Sequence, residues 1–319
     1  MILVCGEALI DLFAGEPDGQ ALAARAIVGG SQFNVALGLA RLGTPVGFLG
    51  GISTDRFGRF LADALEREGV DTRFLKLSQQ PTPLAVVSTD AEGQPSYGFH
   101  SVDCAERDLE PADLPPLDAG IAAVALGSYP IAVEPVGSTL LTLAERAAGR
   151  LIVSLDPNLR PSLIGDLDLW RQRFERFART AAIIKLSRED LAIAFDAEPD
   201  AWAAEQLAGG AELVVVTDGA AGATAYHRRH RLHRPGRAVP VVDTVGAGDT
   251  FHAALLARLA QKNLLSRPAL AGLDLEALAD LIDYAIGAAA LTCMRRGADL
   301  PRRAEVEALL AGGTDVPRA

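Results

Sequence analysis

The chain predicts an α/β protein whose mostly parallel sheet is covered by helices on both faces, with a small β lid added. Three observations carry this. Short, wholly apolar runs alternate with amphipathic stretches of helical period. The apolar runs lack the in-out alternation of a half-exposed sheet, so both their faces are to be buried. Two extended stretches, residues 12–30 and 81–102, interrupt the rhythm without a helical period.

The elements follow in order. "ILVCGEALI" reads as a buried first strand ending at Asp11, "SQFNVALGLARLG" as a helix closed by Gly43, and "VGFLGGI" as a strand. "DRFGRFLADALEREG" reads as a helix capped by Asp55 and stopped at Gly69. Further strands are predicted in "IAAVALGS", "RLIVSLDPN", "AAIIKLS" and "ELVVVTDG", separated by helices around 136–148, 168–179, 188–195 and 201–208. Residues 12–30 and 81–102, the latter turning at "DAEGQ", are expected to pair as a lid over the carboxyl edge of the sheet. No internal repeat or long linker divides the chain, so residues 1–319 read as one domain.

Composition narrows the function. A formal net charge of −11 and 22% charged residues argue against nucleic acid or an anionic membrane as partner and favour small-molecule chemistry. Cys5, Cys104 and Cys293 form no C-x-x-C pair and suit a reducing compartment, and the opening run has no basic signal region, so a cytoplasmic protein is expected. "HRRHRLHRPGR", residues 227–237, reads as a solvated β excursion in preference to a metal or nucleic-acid site.

The chemistry concentrates at "DTVGAGDTF", residues 243–251. Glycines let backbone N–H groups crowd around an anion, and the helix that follows adds positive potential at the same place. Asp249 beside the amides of Gly246, Ala247 and Gly248 is expected to stay ionised and act as a base, although Asp is also a good helix cap. Asp11, Gly29, Gly30, Asn34, Asn158 and Arg160 fall at predicted strand ends or helix starts, where ligands of open α/β sheets bind. Carboxylates and amides there suit a polyhydroxylated ligand.

The chain resembles the ribokinase-like, or PfkB, family of sugar kinases. "GGSQFNVALGLARLG" and "DTVGAGDTFHAAL" look like the family's two signatures, and "GGISTDRFG", "DPNLRP", "VVTDGAAGA" and "AAALTCMRRGADLP" fall in the family's order. The resemblance implies a ribokinase-like three-layer α/β/α core and ATP-dependent phosphoryl transfer to a sugar hydroxyl. It makes Asp249 the base, Gly246, Ala247 and Gly248 an anion hole, and Asp11, Gly29, Gly30, Asn34, Phe99, Asn158 and Arg160 the sugar site. Nucleotide contacts are implied at Lys185, Ser187, Thr217, Gly219, Gly222, Ala285 and Ala289. Mg²⁺ is implied through water at Asp190, and K⁺ at backbone oxygens of Asp243 and Val245. The chain departs from the pattern at Ile286, where Asn is frequent, and in "KLSREDL", where Ser187 and Asp190 replace an N-x-x-E run.

"LVCGEALIDL", "GSYPIAVEP" and "CAERDL" look closest to bacterial fructokinases, and residues 81–102 hold no Lys or Arg for a phosphorylated or acidic sugar. Fructose is the expected substrate. Ketodeoxygluconate kinase, ribokinase, nucleoside kinase and a non-catalytic sensor are the alternatives. Paired lid strands would leave exposed edges, for which a homodimer through the lid is the expected remedy.

Overall fold

The computed structural model describes residues 1–89, 95–118 and 120–312. Strand β1 (Ile2–Cys5) sends Ile2 and Val4 into one apolar layer and Leu3 and Cys5 into the other, the two-residue period of a strand buried on both faces. The chain then leaves the main sheet for β2 (Leu9–Asp18) and β3 (Ala21–Gly29), and returns through α1 (Ser31–Arg41), β4 (Val46–Ser53), α2 (Arg56–Arg67) and β5 (Leu75–Ser78). Asp55 caps α2 as expected, accepting the Gly58 N–H at 2.7 Å. A second excursion is made by β6 (Leu84–Thr89) and β7 (Pro95–His100).

From β8 (Ala123–Gly127) the alternation is regular: α3 (Val136–Ala147), β9 (Ile152–Asp156), α4 (Pro161–Ile164), α5 (Leu167–Ala178), β10 (Ile183–Ser187), α6 (Arg188–Phe195), α7 (Pro199–Ala208) and β11 (Leu213–Thr217). A hairpin of β12 (Ala223–His227) and β13 (His230–Arg234) follows, then α8 (Ala247–Gln261), α9 (Arg267–Ala271), α10 (Leu275–Cys293) and α11 (Arg303–Leu310). Among the described residues the main sheet has nine strands in the order β13-β12-β11-β10-β9-β8-β1-β4-β5, antiparallel only at the β12–β13 edge. Side chains of α1, α2, α8 and α10 build one core layer; those of α3, α5, α6 and α7 build the other. No helix of the described residues is long and apolar enough to cross a membrane.

The strand order reverses at β1, which lies between β4 and β8, and such a reversal opens a crevice beyond the carboxyl ends of the strands. The lid covers that side. Its four strands run β3-β2-β6-β7, two antiparallel hairpins joined by parallel pairing of Ile10 with Leu84 through Phe13 with Val87.

Two expectations are corrected. "ILVCGEALI" is two strands: Gly6, at φ +154°, ends the first, and Asp11 therefore sits inside a lid strand. The lid segments are 9–29 and 84–100 in place of 12–30 and 81–102, while the turn expected at 90–94 lies outside the described residues. The basic stretch at 227–237 is a largely solvated β hairpin at the edge of the main sheet, in which Arg231 and Arg234 pair with Asp200 and Asp283.

Candidate active site

A cavity of about 530 Å³ opens at the strand reversal, between the main sheet and the lid. Glu7, Ser128, Tyr129 and Asn158 line it from beyond the ends of β1, β8 and β9; Gly30, Ser31 and Asn34 line it from the start of α1; Leu9, Asp11 and Phe99 line it from the lid; Gly246, Gly248 and Asp249 line it from the start of α8. The packing of α1 against α8 makes this convergence possible. Gly38 provides the close approach, since a Cβ there would stand 2.7 Å from the Ala253 Cβ.

Asp249 lies in the first turn of α8 and is 7% exposed. Its Oδ1 accepts the Ser31 hydroxyl at 2.6 Å and the Asn158 Nδ2 at 3.4 Å; its Oδ2 accepts the Asn34 Nδ2 at 2.9 Å. Burial is the largest influence on this carboxyl and pushes its pKa above the usual range, against the lowering by Ser31 and Asn34. The expectation that neighbouring amides hold it ionised thus meets an opposing desolvation, one that makes it a stronger base.

The turn before it is set by Gly246, which holds φ +77° and leaves no room for a side chain: a Cβ would stand 2.6 Å from the Ala298 Cβ. The residues expected to form the anion hole differ in their backbone bonding. Ala247 donates its N–H to the Thr244 carbonyl at 3.2 Å, whereas the amides of Gly246, Gly248 and Asp249 have no acceptor among the described residues. Those three N–H groups at a helix N-terminus are free to receive an anion.

The residues expected to hold the sugar divide into three groups. Asp11 faces the cavity with no hydrogen bond to another described residue, and burial followed by the charge of Asp249 raises its carboxyl to about 6. Phe99 adds an apolar wall from β7, and Arg160 stands exposed at the rim with one arm on the Leu159 carbonyl at 2.9 Å. Asn34 and Asn158 line the cavity but give their amides to Asp249 and Ser31. Gly29 does not line it; the missing side chain makes room for Asp11, whose Oδ2 is 2.3 Å from where a Cβ would be. Gly30, at φ +108°, lets the backbone pass 2.8 Å from the Glu7 carbonyl, measured to a Cβ it does not have.

The residues expected to bind nucleotide lie outside this cavity. Ser187 and Thr217 are register neighbours at the ends of β10 and β11, beside Gly219 at φ +49°. Gly222 is required by the chain itself, because a Cβ would meet the Arg234 carbonyl at 2.1 Å. Ala285 is fully buried in the core and offers no surface to a ligand, while Ala289 on the same helix is half-buried. Lys185 is 4% exposed and its ammonium donates to Asp156 at 2.7 Å, beneath Gly248. Ser187 and Asp190 form a reciprocal cap of α6, and Asp190 also accepts the Leu159 N–H at 3.2 Å, so both carboxylate oxygens are engaged. Asp243 accepts the N–H groups of Val245 and Gly297 at 3.1 and 2.8 Å, tying the turn to the segment after α10.

Glu7, Ser31, Ser128, Tyr129, Glu106 and Asp156 escaped the sequence reading. Glu7 is 1% exposed, accepts the Ser31 N–H at 2.8 Å, and is raised by burial to about 7. A carboxylate inside the apolar run "CGEAL" was the available signal; Ser31, a single hydroxyl after two glycines, gave none. Glu106 is likewise raised by burial to about 7, and Tyr129 donates to it at 3.2 Å. His252 is buried and neutral, lowered to about 3 by burial and then by Lys185, with its Nε2 at 2.8 Å from the Ser154 hydroxyl. The Cys104 thiol is raised to about 11, chiefly by burial, which removes it as a nucleophile.

A buried carboxylate beside an open amide turn, facing a polar cavity under a lid, is an arrangement suited to group transfer to a small hydroxylated substrate. The chain belongs to the pfkB family of carbohydrate kinases, whose model matches residues 1–304. A fructokinase of Rhizobium leguminosarum bv. trifolii is 39% identical over 279 residues, 87% of this chain and 85% of that protein. The structure of a fructokinase with bound ATP from Xylella fastidiosa superposes with a TM-score of 0.89 at 30% identity, covering 98% of both chains. A Vibrio cholerae fructokinase in a form bound to fructose, ADP and calcium superposes at 0.81 with 28% identity, covering 97% of this chain and 98% of that one.

Proposed function

We propose that the protein is an ATP-dependent fructose kinase, one catalytic domain with its lid. The observation that carries the reading is the placement of Asp249: buried on the cavity wall, held by three donors, and immediately after the free amides of Gly246 and Gly248. A sugar hydroxyl beside Asp249 gives its proton to the carboxylate as its oxygen bonds to the γ-phosphorus. The bond from that phosphorus to the bridging oxygen breaks, and ADP leaves. The amides of Gly246, Gly248 and Asp249 hold the phosphoryl oxygens, a fixed array that needs no reorganisation as charge develops. Asp11 accepts sugar hydroxyls, Phe99 packs on the ring, and the lid excludes water that would otherwise hydrolyse ATP. Arg160 at the rim is placed for a phosphate oxygen.

Thr217, Gly219 and the exposed 235–246 loop offer the nucleotide a surface at the ends of β10 and β11; that a relative of this fold binds ATP supports nucleotide binding as such. A divalent cation has no protein cage, since no group of three or more His, Cys, Asp or Glu among the described residues could hold a metal, and each Asp190 oxygen already accepts one N–H, which leaves it suited only to a water-mediated contact. The residues therefore do not fit a directly bound Mg²⁺. For K⁺ the fit is better, because the carbonyl oxygens of Asp243 and Val245 accept no hydrogen bond among the described residues. A homodimer through the lid is supported by Phe13 and Leu22, 42% and 52% exposed on its strands, and a cytoplasmic setting by three free cysteines.

The test is ADP release from Mg·ATP with fructose, ribose, ketodeoxygluconate, fructose phosphates and adenosine as acceptors. Fructose is expected to give the highest kcat/KM. A higher value with another acceptor would replace the substrate and keep the mechanism; saturable binding without turnover would leave a sensor.

A further inference from the structure

We infer that Ser31 is a positioning residue that orients Asp249 and sets its affinity for a proton. This rests on the kinase reading, in which Asp249 receives the proton of the sugar hydroxyl. Ser31 is the first residue of α1 and is 8% exposed. Its N–H is held by Glu7 Oε1 at 2.8 Å, which fixes the start of a helix whose own cap position, Gly30, has no side chain. Its hydroxyl accepts from Asn158 Nδ2 at 2.7 Å and donates to Asp249 Oδ1 at 2.6 Å. The direction is forced. The same Asn158 Nδ2 stands 3.4 Å from Asp249 Oδ1, where only a donor is acceptable, so the Asn158 amide cannot be reversed and the Ser31 proton must point at the carboxylate.

Two donors thus face Oδ1, and one, Asn34 Nδ2, faces Oδ2. The open lone pair is on Oδ2, and the sugar proton is received there. Each donor also favours the charged carboxylate, so loss of the Ser31 hydroxyl makes Asp249 hold a proton to higher pH. The other charged or titratable groups around Asp249 stay in place in such a variant: Glu7 after β1, Asp11 on β2, Asp156 at the end of β9, Lys185 on β10, His252 on α8, and Arg160 and Glu189 at the cavity rim. A shift is then assignable to the hydroxyl.

The variants are Ser31→Ala, Ser31→Cys and Ser31→Thr in the full chain. The Glu7 bond to the Ser31 backbone survives in all three, and thermal melts check the fold. In Ser31→Ala the acid limb of kcat/KM against pH is expected to rise by about one unit, and the plateau kcat to fall about tenfold, with the fructose KM within about threefold. Ser31→Cys, a weak donor of similar size, should follow Ala; Ser31→Thr should return the limb to within about 0.3 unit of the parent. An unmoved limb overturns the inference. So does a fructose KM raised more than about tenfold at unchanged kcat, which would make Ser31 a sugar ligand. A second readout needs no turnover: the ¹³C carboxyl resonance of Asp249, assigned by its loss in Asp249→Asn, reports the titration midpoint directly. If the parent fails to phosphorylate fructose, the kinase reading fails on that result alone, and an unmoved midpoint in Ser31→Ala still overturns the role of Ser31.

Discussion

Replacing Asp249 by Asn removes the base while leaving almost every contact of the side chain available. The Asn34 Nδ2 bond to Oδ2 at 2.9 Å can persist to the amide oxygen. On the other side the new Nδ2 faces the Ser31 hydroxyl, which rotates to accept from it, at the expense of the long Asn158 contact at 3.4 Å. One altered hydrogen bond costs about 1 kcal/mol. Against this stands the desolvation of the charge. Because burial raises the Asp249 pKa, the native state binds its proton more tightly than the unfolded chain, and stability declines as pH rises through the interval between the two values. At pH 7 the charged carboxylate is therefore a cost that Asn does not carry. The two effects oppose each other, and the melting temperature is expected within about 3 °C of the parent. Turnover behaves differently. Loss of a positioned base lowers kcat by about 10²- to 10⁴-fold, with fructose affinity by calorimetry changed by no more than a few fold. ADP release under saturating Mg·ATP and fructose reads the effect. A kcat within tenfold of the parent would refute the assignment of Asp249, and a loss of stability above about 2 kcal/mol would refute the hydrogen-bond accounting.

Other perturbations test the surroundings of the base. Glu7 is raised by burial from 4.5 to about 7, so the parent should lose stability across that interval; Glu7→Gln should flatten the urea-unfolding profile by at most about 3 kcal/mol, and an unchanged slope would contradict its buried, ionisable state. Gly246→Ala must adopt φ +77° and meet the Ala298 Cβ at 2.6 Å, so a loss of about 1–3 kcal/mol and a fall in kcat of about 100-fold or more are expected by denaturation and ADP release. Lys185→Met strands Asp156, which is 1% exposed, and should cost about 3–5 kcal/mol in urea unfolding; adding Asp156→Leu should recover most of that stability, and no recovery would mean the pair is not the cause.

Much of the frame was legible because its signals are local. Apolar runs such as "LVVVT" and helical periods such as "DRFGRFLADALEREG" report burial within one element, and the glycine turn before Asp249 reports its own backbone geometry. The first strand was misjudged because "ILVCGEALI" is apolar throughout, and hydrophobicity alone does not mark the point where a chain leaves one sheet for another. Likewise Lys185, Ser187 and Asp190 carry polar chemistry in sequence, but only their three-dimensional partners reveal that they are spent on Asp156 and on the cap of α6.

The amino-acid sequence by itself determined the α/β alternation, the glycine turn before Asp249 and the presence of two stretches that leave the main sheet. Tertiary structure decided what surrounds Asp249. Asp249 and Ser31 are 218 positions apart and meet because α1 packs beside α8, and Glu7 reaches the same point from the end of β1. Hydrogen-bond direction and desolvation are set by neighbours from distant parts of the chain, and no local pattern records which neighbours a fold will bring.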